Sequence, residues 1–355
     1  MQLLILKTGA LGDVLRTTSI LPGWMERHPG TEVTWLTAPA ARELVCHHPL
    51  VAHCVTDAAV LESGGPWDRI LSLDDEEPLC ALASRLTERS TGRPAGADGA
   101  GGVLSGAFLD ADGARRYTDD VAPWFDMGLL SRFGKEEADR RKVANTRSHP
   151  AIYADMFGVR SGEPELPLPE EATAFAARFA ERASLHAHGP VIGMNTGSGG
   201  RWESKKLPVE RTVALMETLA AARDGELTFL LLGGPEEAER NAAIRAAASD
   251  RVRLVDAGTD NALLDFAALV DRLDLLVTSD SLALHVANAR QVPLVAFFAP
   301  TSAAEVDLYG RGIAVASTAP DACSYRKDAD TSTLTVERLS EAVLEVLRTS
   351  LRRGA

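Results

Sequence analysis

The sequence predicts an α/β protein of two domains, each built on a parallel sheet that helices cover on both faces. Short runs rich in Leu, Ile and Val alternate with amphipathic segments of helical period along most of the chain. Three prolines within residues 161–169 stiffen an extended connector that separates two such series. A length of 355 residues is also too great for one ordinary core.

The two series define the expected domain boundaries. We expect a first domain at residues 1–165, a second at 166–335, and a helix at 336–355 that packs back across the first domain. Sites on parallel sheets lie beyond the carboxyl ends of the strands. We therefore expect the strand ends of the two domains to face each other across a cleft.

Charge and hydropathy exclude several classes of function. The formal net charge of −13 would repel polyphosphate backbones, so we expect no nucleic-acid partner. No apolar run reaches the roughly 18 residues of a membrane span, and residues 1–7 are too short for a signal peptide. We expect a soluble, cytoplasmic protein with at most peripheral contact with the inner membrane. Neither a zinc knuckle nor a disulfide framework is predicted, because no CxxC pair occurs among Cys46, Cys54, Cys80 and Cys323.

The first domain opens with a strand, a glycine-bearing turn and a helix. Residues 2–7 predict the strand and residues 14–27 the helix, which Pro22 should kink or end early. Gly9 and Gly12 in the turn permit positive φ or the close approach of another group to the backbone. Asp13 stands at the start of the helix, where it is either only a cap or a functional carboxylate.

The rest of the first domain continues the alternation and then changes in composition. Strands are predicted at 31–37, 51–56 and 69–73, and helices at 40–47 and 76–89. Residues 91–102 are rich in Gly, Ala and Pro and predict a mobile surface loop. Residues 115–147 mix aromatic and charged side chains and predict further helices.

The second domain repeats the pattern more regularly. Strands are predicted at 191–195, 227–232, 252–256, 275–278 and 292–298. Helices are predicted at 170–184, 209–222, 236–248 and 261–271, and again after Asp280. Polar residues gather in three of the loops that follow these strands, and ligands of nucleotide-binding folds lie at such strand ends.

The first two loops offer groups suited to a nucleotide diphosphate. Thr196, Gly197 and Ser198 supply short hydrogen-bond donors, and Lys205 supplies a charge that neutralises a phosphate. The alternative is a flexible loop with exposed basic residues. In the second loop, Glu237 offers a carboxylate to ribose hydroxyls, although capping of the next helix by this residue or by its neighbour Glu236 explains it nearly as well.

The third loop joins a buried strand to an Ala-rich helix. Ser281 is placed to cap the helix and leave its first N–H groups available to an anion. His285 lies one turn further on, where it either donates to a bound phosphate or is a core histidine.

Together these residues resemble the ADP-heptose heptosyltransferases of glycosyltransferase family 9. The resemblance rests on several short motifs that occur in the same order along nearly the whole chain: Gly9-Ala10-Leu11-Gly12-Asp13, Trp202 with Lys205, Asp280-Ser281 with His285, Pro293, and Ala299-Pro300-Thr301. It implies a GT-B fold of two Rossmann-like domains. It also implies a glycosyltransferase that inverts the anomeric carbon without a metal or other cofactor, using a nucleotide sugar, ADP-heptose, and a glycan or glycoside acceptor.

The same resemblance implies a role for each candidate residue. Asp13 would be the general base and Lys205 the second catalytic residue, with Gly9 and Gly12 on the acceptor side. The donor would be held by residues of the second domain, which are Thr196, Gly197, Ser198, Glu237, Asp280, Ser281, Leu282 and His285.

Two departures from the family pattern leave alternatives open. Leu282 and Ala299 stand where the family usually has glycine, and larger side chains there could narrow the donor pocket. One alternative is a related transferase that uses another nucleotide sugar and a soluble small-molecule or protein acceptor. The others are a GT-B sugar-nucleotide epimerase and a non-catalytic module that binds nucleotide sugars.

Overall fold

The chain folds as two compact units, Met1–Pro167 and Leu168–Ala355. The structure is a computed structural model that describes residues 1–96, 102–200 and 202–353. Part of the predicted Gly-rich loop, residues 97–101, lies outside the described residues. Each unit contains a six-stranded sheet. Within the described residues, every helix is too short or too polar to cross a membrane.

Unit 1 is built on a sheet with the order β3-β2-β1-β4-β5-β6. Its strands are β1 (Gln2–Leu6), β2 (Glu32–Leu36), β3 (His53–Val55), β4 (Arg69–Ser72), β5 (Leu104–Leu109) and β6 (Arg115–Tyr117). The first five strands run parallel, and β6 pairs antiparallel with β5. The apolar run Leu3–Leu6 in β1 is fully buried, as a central strand covered on both faces requires.

The helices of unit 1 differ from the sequence prediction at two places. They are α1 (Leu11–Thr17), α2 (Leu21–Arg27), α3 (Glu77–Thr91), α4 (Ala122–Phe125), α5 (Lys135–Ala144) and α6 (His149–Phe157). The predicted helix at 14–27 is interrupted by the 3₁₀ turn Thr18–Ile20, and Pro22 lies in the first turn of α2, where a proline is tolerated. The predicted helix at 40–47 is the 3₁₀ segment Pro39–Leu44.

Unit 2 is built on an all-parallel sheet with the order β12-β11-β10-β7-β8-β9. Its strands are β7 (Val191–Asn195), β8 (Thr228–Leu231), β9 (Leu254–Asp256), β10 (Leu275–Ser279), β11 (Leu294–Phe298) and β12 (Gly312–Ala316). Its helices are α7 (Glu170–Arg182), α8 (Val209–Ala222), α9 (Ala238–Ala247), α10 (Leu263–Val270), α11 (Leu282–Ala289) and α12 (Val336–Arg353). The two sheets confirm the predicted fold class.

The last helix packs on unit 2, whereas the sequence predicts that it crosses to the first domain. Leu339, Val343 and Val346 of α12 are buried in the same core as Val295 of β11 and Val315 of β12. Their spacing of three and four residues forms one apolar stripe, and the sheet of unit 2 offers it a matching apolar face.

Candidate active site

In unit 1, Asp13 presents a carboxylate beside the carboxyl end of β1. Helix α1 has Ala10 as its N-cap, so Asp13 is the third helical residue and not the cap. Its Oδ1 lies 2.9 Å from Nη2 of Arg16, and its side chain keeps 37% of its exposure. The Arg16 guanidinium also lies 5.3 Å from the centroid of the Trp124 ring. Arg16 thus orients a carboxylate that remains open to solvent.

A buried ion pair holds the turn that leads to Asp13. Lys7, directly after β1, forms a salt bridge with Asp74, which follows the neighbouring strand β4. Asp74 also accepts hydrogen bonds from the backbone N–H of Thr8 at 2.5 Å and from its hydroxyl at 2.9 Å. Nζ of Lys7 in turn donates to the carbonyl of Gly9 at 2.5 Å. The backbone of the turn is therefore fixed by charge-assisted hydrogen bonds at both ends of this pair.

The two glycines of the turn do not adopt the left-handed backbone conformation that favours glycine. Neither Gly9 nor Gly12 adopts positive φ, and Gly12 lies inside α1. A Cβ added to Gly9 would meet no described atom within 4 Å. Of the two reasons that the sequence offers for these glycines, only the close approach of another group is compatible with this geometry.

In unit 2, hydrogen bonds join the ends of the neighbouring strands β7 and β10. The Nδ2 group of Asn195 donates to the hydroxyl of Thr278 at 3.2 Å and to that of Ser281 at 3.3 Å. The hydroxyl of Ser279 donates to the carbonyl of Gly197 at 3.0 Å. Two of the predicted loops, which begin at residues 196 and 280, are therefore joined at one edge of the sheet.

This edge brings Lys205 and Asp280 together. Their Nζ and Oδ2 atoms lie 2.9 Å apart, and their side chains keep 16% and 20% of their exposure. Burial raises the pKa of the Asp280 carboxyl, but the nearby charges of Lys205 and His285 outweigh it, so this pKa is lowered. The Asp280 carboxyl is consequently ionised at neutral pH, and the pair is partly accessible.

Helix α11 begins next to this ion pair. Ser281 is its N-cap, as predicted, but its side chain makes no capping hydrogen bond and binds Thr278 and Asn195 instead. Because the Ser281 side chain does not cap this end, the positive end of the helix dipole and its first N–H groups remain suited to an anion. Leu282 is the half-buried first residue of the helix, and His285 is buried one turn further along it.

Glu237 joins two loops and does not present its carboxylate to solvent. Its side chain is buried, with Oε1 accepting from the N–H of Gly199 at 2.6 Å and Oε2 from that of Gly234 at 2.9 Å. A Cβ added to Gly197 would come within 2.4 Å of the Glu237 side chain. Gly197 is therefore required for packing, and Glu237 caps the following turn. The neighbouring Glu236 is the exposed carboxylate of this loop.

The two predicted hydroxyl donors differ in their surroundings. Thr196 is only 1% exposed, and its hydroxyl accepts hydrogen bonds from Arg240 at 2.8 Å and from Thr212 at 3.2 Å. Ser198 is half-buried, and its hydroxyl donates to the carbonyl of Trp202 at 3.5 Å. Of the two side chains, only that of Ser198 is placed to reach a ligand. Arg240, which the sequence did not indicate, anchors the base of the loop.

Comparison with known proteins identifies the family. The family model described as glycosyltransferase family 9 (heptosyltransferase) matches residues 131–334. The chain belongs to glycosyltransferase family 9. The matched range contains Lys205, Asp280 and His285, whereas the turn with Asp13 precedes it. No curated protein has a matching sequence.

Solved structures of family 9 proteins share the fold of the whole chain. A family 9 glycosyl transferase from Veillonella parvula superimposes with a TM-score of 0.73 at 18% identity, covering 98% of this chain and 97% of the other. E. coli ADP-heptose LPS heptosyltransferase II superimposes with a TM-score of 0.64 at 18% identity, with 100% of both chains covered. E. coli heptosyltransferase WaaC with ADP superimposes with a TM-score of 0.58 at 18% identity, with 99% of both chains covered. The fold is therefore GT-B, and the protein is a glycosyltransferase of the heptosyltransferase family.

Proposed function

We propose that this protein transfers a heptose from ADP-heptose to an acceptor hydroxyl, with inversion at the anomeric carbon and without a catalytic metal. The observation that carries the proposal is the partly accessible Lys205–Asp280 pair beside the start of α11, in a chain of family 9. ADP-heptose is chosen because the name of the E. coli heptosyltransferase II specifies it and because WaaC was solved with ADP.

On the donor side, the reaction needs positive charge at the diphosphate that leaves. Lys205 supplies a full charge, and the start of α11 supplies partial charge through its N–H groups. The Asp280 carboxylate lies 2.9 Å from the Lys205 ammonium. When the donor binds, its phosphate oxygens compete for Lys205, and this charge becomes more valuable as the leaving group develops negative charge.

On the acceptor side, Asp13 is the proposed general base. Its carboxylate takes the proton of the acceptor hydroxyl as the oxygen attacks the anomeric carbon. The bond from that carbon to the diphosphate breaks on the opposite face, so the configuration inverts. The exposure of Asp13 and its fixed orientation by Arg16 support this role.

The acceptor is proposed to be a sugar hydroxyl of a glycan or glycoside. Lipopolysaccharide is named for the E. coli heptosyltransferase II, which makes lipopolysaccharide core glycans the first acceptors to test beside soluble glycosides. Conversion of the donor without any acceptor would instead indicate an epimerase.

Replacement of the proposed base tests the mechanism. Asp13→Asn keeps the size of the side chain and removes the proton acceptor, so kcat should fall by about 10²–10⁴ while donor KM stays nearly constant. Steady-state kinetics with a panel of acceptors measures both. Asp112→Asn, which alters an exposed carboxylate in the β5–β6 turn, is the matched control and should keep full activity. Wild-type turnover by Asp13→Asn would overturn the base assignment.

A further inference from the structure

Three metal-ligating side chains converge in unit 1, at the 3₁₀ segment that follows β2. Nε2 of His47 lies 3.3 Å from Oε2 of Glu43, and Sγ of Cys46 lies 3.9 Å from Oε1 of the same carboxylate. The ligand atoms of Glu43, Cys46 and His47 all lie within 4.8 Å of one another. Thiol, imidazole and carboxylate are the three side-chain groups that bind Zn²⁺ in proteins.

The backbone explains why these three residues share one side of the chain. The N–H of Val45 donates to the carbonyl of Arg42 at 3.1 Å, and the N–H of Cys46 donates to the same carbonyl at 2.9 Å. The chain therefore continues to turn after the 3₁₀ segment ends at Leu44. Residues three and four positions apart are neighbours on a helical turn, which places Cys46 and His47 beside Glu43.

The distance between the His47 and Glu43 ligand atoms matches one edge of a tetrahedral zinc site. Zinc bonds of about 2.0–2.1 Å to N and O and about 2.3 Å to S, at tetrahedral angles, set the ligand atoms roughly 3.3–3.6 Å apart. The 3.3 Å between His47 Nε2 and Glu43 Oε2 falls within this range, and the ligand atoms of all three residues lie within 4.8 Å of one another. Rotation of the Cys46 side chain toward Oε2 would close the site.

We propose that unit 1 binds one Zn²⁺ through Glu43, Cys46 and His47, with water in the fourth position. The ligand types favour zinc among biological divalent ions, because thiolate and imidazole disfavour the hard cations Mg²⁺ and Ca²⁺. The position differs from that of the proposed donor site, which lies in unit 2. The site therefore adds a bound metal to the protein without a role in the transfer step.

Two local interactions set the cost of metal binding. Arg42 lies 2.7 Å from Oε1 of Glu43. Oε2, the oxygen beside His47, is therefore the one that would bind the metal. Burial and the Glu43 charge raise the pKa of the Cys46 thiol, so Zn²⁺ must displace its proton on binding. These costs predict a moderate affinity.

The location suggests what the metal does. The 3₁₀ segment Pro39–Leu44 packs against α1, the helix that contains Asp13. A metal that ties the end of this segment to the following turn would stiffen the surface on which α1 rests. The sequence does not predict the site, because its ligands form no CxxC or HxxxH pattern.

Metal titration of the full-length protein tests the proposal. The protein is treated with a chelator, dialysed and titrated with Zn²⁺ in competition with a chromophoric chelator, and with Co²⁺ as a spectroscopic probe. We expect one ion per chain and a near-ultraviolet band from thiolate-to-cobalt charge transfer. Cys46→Ser should abolish the band, and His47→Ala should weaken zinc binding by roughly tenfold or more.

Matched variants separate this site from adventitious binding. His53→Ala removes another exposed histidine that contacts a carboxylate, Glu32, and Cys323→Ser removes a thiol of unit 2. Both controls should bind one zinc with wild-type affinity. Thermal unfolding of the metal-free variants checks that each is folded. A protein without the charge-transfer band, or equal zinc affinity in wild type and His47→Ala, would overturn the proposal.

Discussion

The two units each contain a Lys–Asp pair at the same place in the sheet, and the pairs differ in their enclosure. Lys7 and Asp74 follow the adjacent strands β1 and β4 of unit 1, and their side chains keep only 8% and 5% of their exposure. Lys205 and Asp280 follow the adjacent strands β7 and β10 of unit 2 and keep 16% and 20%.

We interpret this difference as one between a structural pair and a pair that is proposed to bind the donor. Asp74 accepts from Lys7 and from both donors of Thr8, and Lys7 also binds the carbonyl of Gly9, so these partners hold the turn before Asp13 closed. The unit 2 pair is more open and lies beside an uncapped helix start. Breaking the Lys7–Asp74 pair should therefore lower the unfolding free energy, and breaking the Lys205–Asp280 pair should impair donor binding.

The largest expected effect is the loss of stability when the enclosed pair is broken. Lys7→Met keeps the aliphatic stem but leaves the Asp74 carboxylate buried without its cation. Removal of one partner from a buried pair costs about 3–5 kcal/mol of unfolding free energy. Urea denaturation measures this cost. A loss below about 1 kcal/mol would show that the enclosure of this pair has little energetic weight.

The matching change in unit 2 should act on catalysis. Lys205→Met removes the charge proposed to neutralise the diphosphate, so donor KM should rise and kcat should fall, for a combined loss of about 10²–10³ in kcat/KM. Its unfolding free energy should change by only about 1 kcal/mol, because the pair is partly solvated. Unchanged KM and kcat would show that Lys205 does not contact the donor and that the two Lys–Asp pairs do not differ in function.

The smallest expected effect is a pH dependence of the unfolding free energy that arises from the Asp280 carboxyl. Its pKa in the folded protein is lowered from the ordinary value of 3.8, chiefly because the charges of Lys205 and His285 overcome burial. At pH values between the folded and unfolded pKa of Asp280, the unfolded state therefore binds more protons than the folded state. The stabilisation is fully present above about pH 4 and is lost as pH falls through the folded pKa.

Comparison of wild type with Asp280→Asn measures this contribution. The difference in their unfolding free energies at pH 6 should shrink as the pH approaches 3. A difference that stays constant across this range would show that the Asp280 carboxylate contributes nothing through its ionisation.

Local sequence patterns predict most of the fold, because central parallel strands are continuous apolar runs. β1, β7 and β10 illustrate this, since nearly every residue in them is buried. Strands β5, β6 and β12 were missed. β6 has the exposed, charged pattern of a short edge strand, and the apolar run of β12 consists mostly of Gly and Ala in a partly exposed edge strand, so neither carries a strong strand signal.

The site was only partly predictable, because side-chain partners depend on the order of strands in the sheet. The family resemblance implies a catalytic role for Lys205 and a donor-binding role for Asp280, but their ion pair follows from the adjacency of β7 and β10. The sequence does not indicate Asp74 as a partner of Lys7, because Asp74 begins an acidic run before α3 and has the pattern of a helix start. The role of Glu237 in packing depends on Gly197 in another loop, which no local pattern reveals.

The most direct test of the account is nucleotide binding by wild type and Lys205→Met. Thermal unfolding is measured with ADP, UDP and GDP, since a ligand at 100 times its Kd stabilises the native state by about 2.7 kcal/mol. We expect ADP to raise the Tm of the wild type more than UDP or GDP, and to raise that of Lys205→Met much less. Stabilisation by UDP or GDP without ADP, or equal ADP stabilisation of both proteins, would contradict the account.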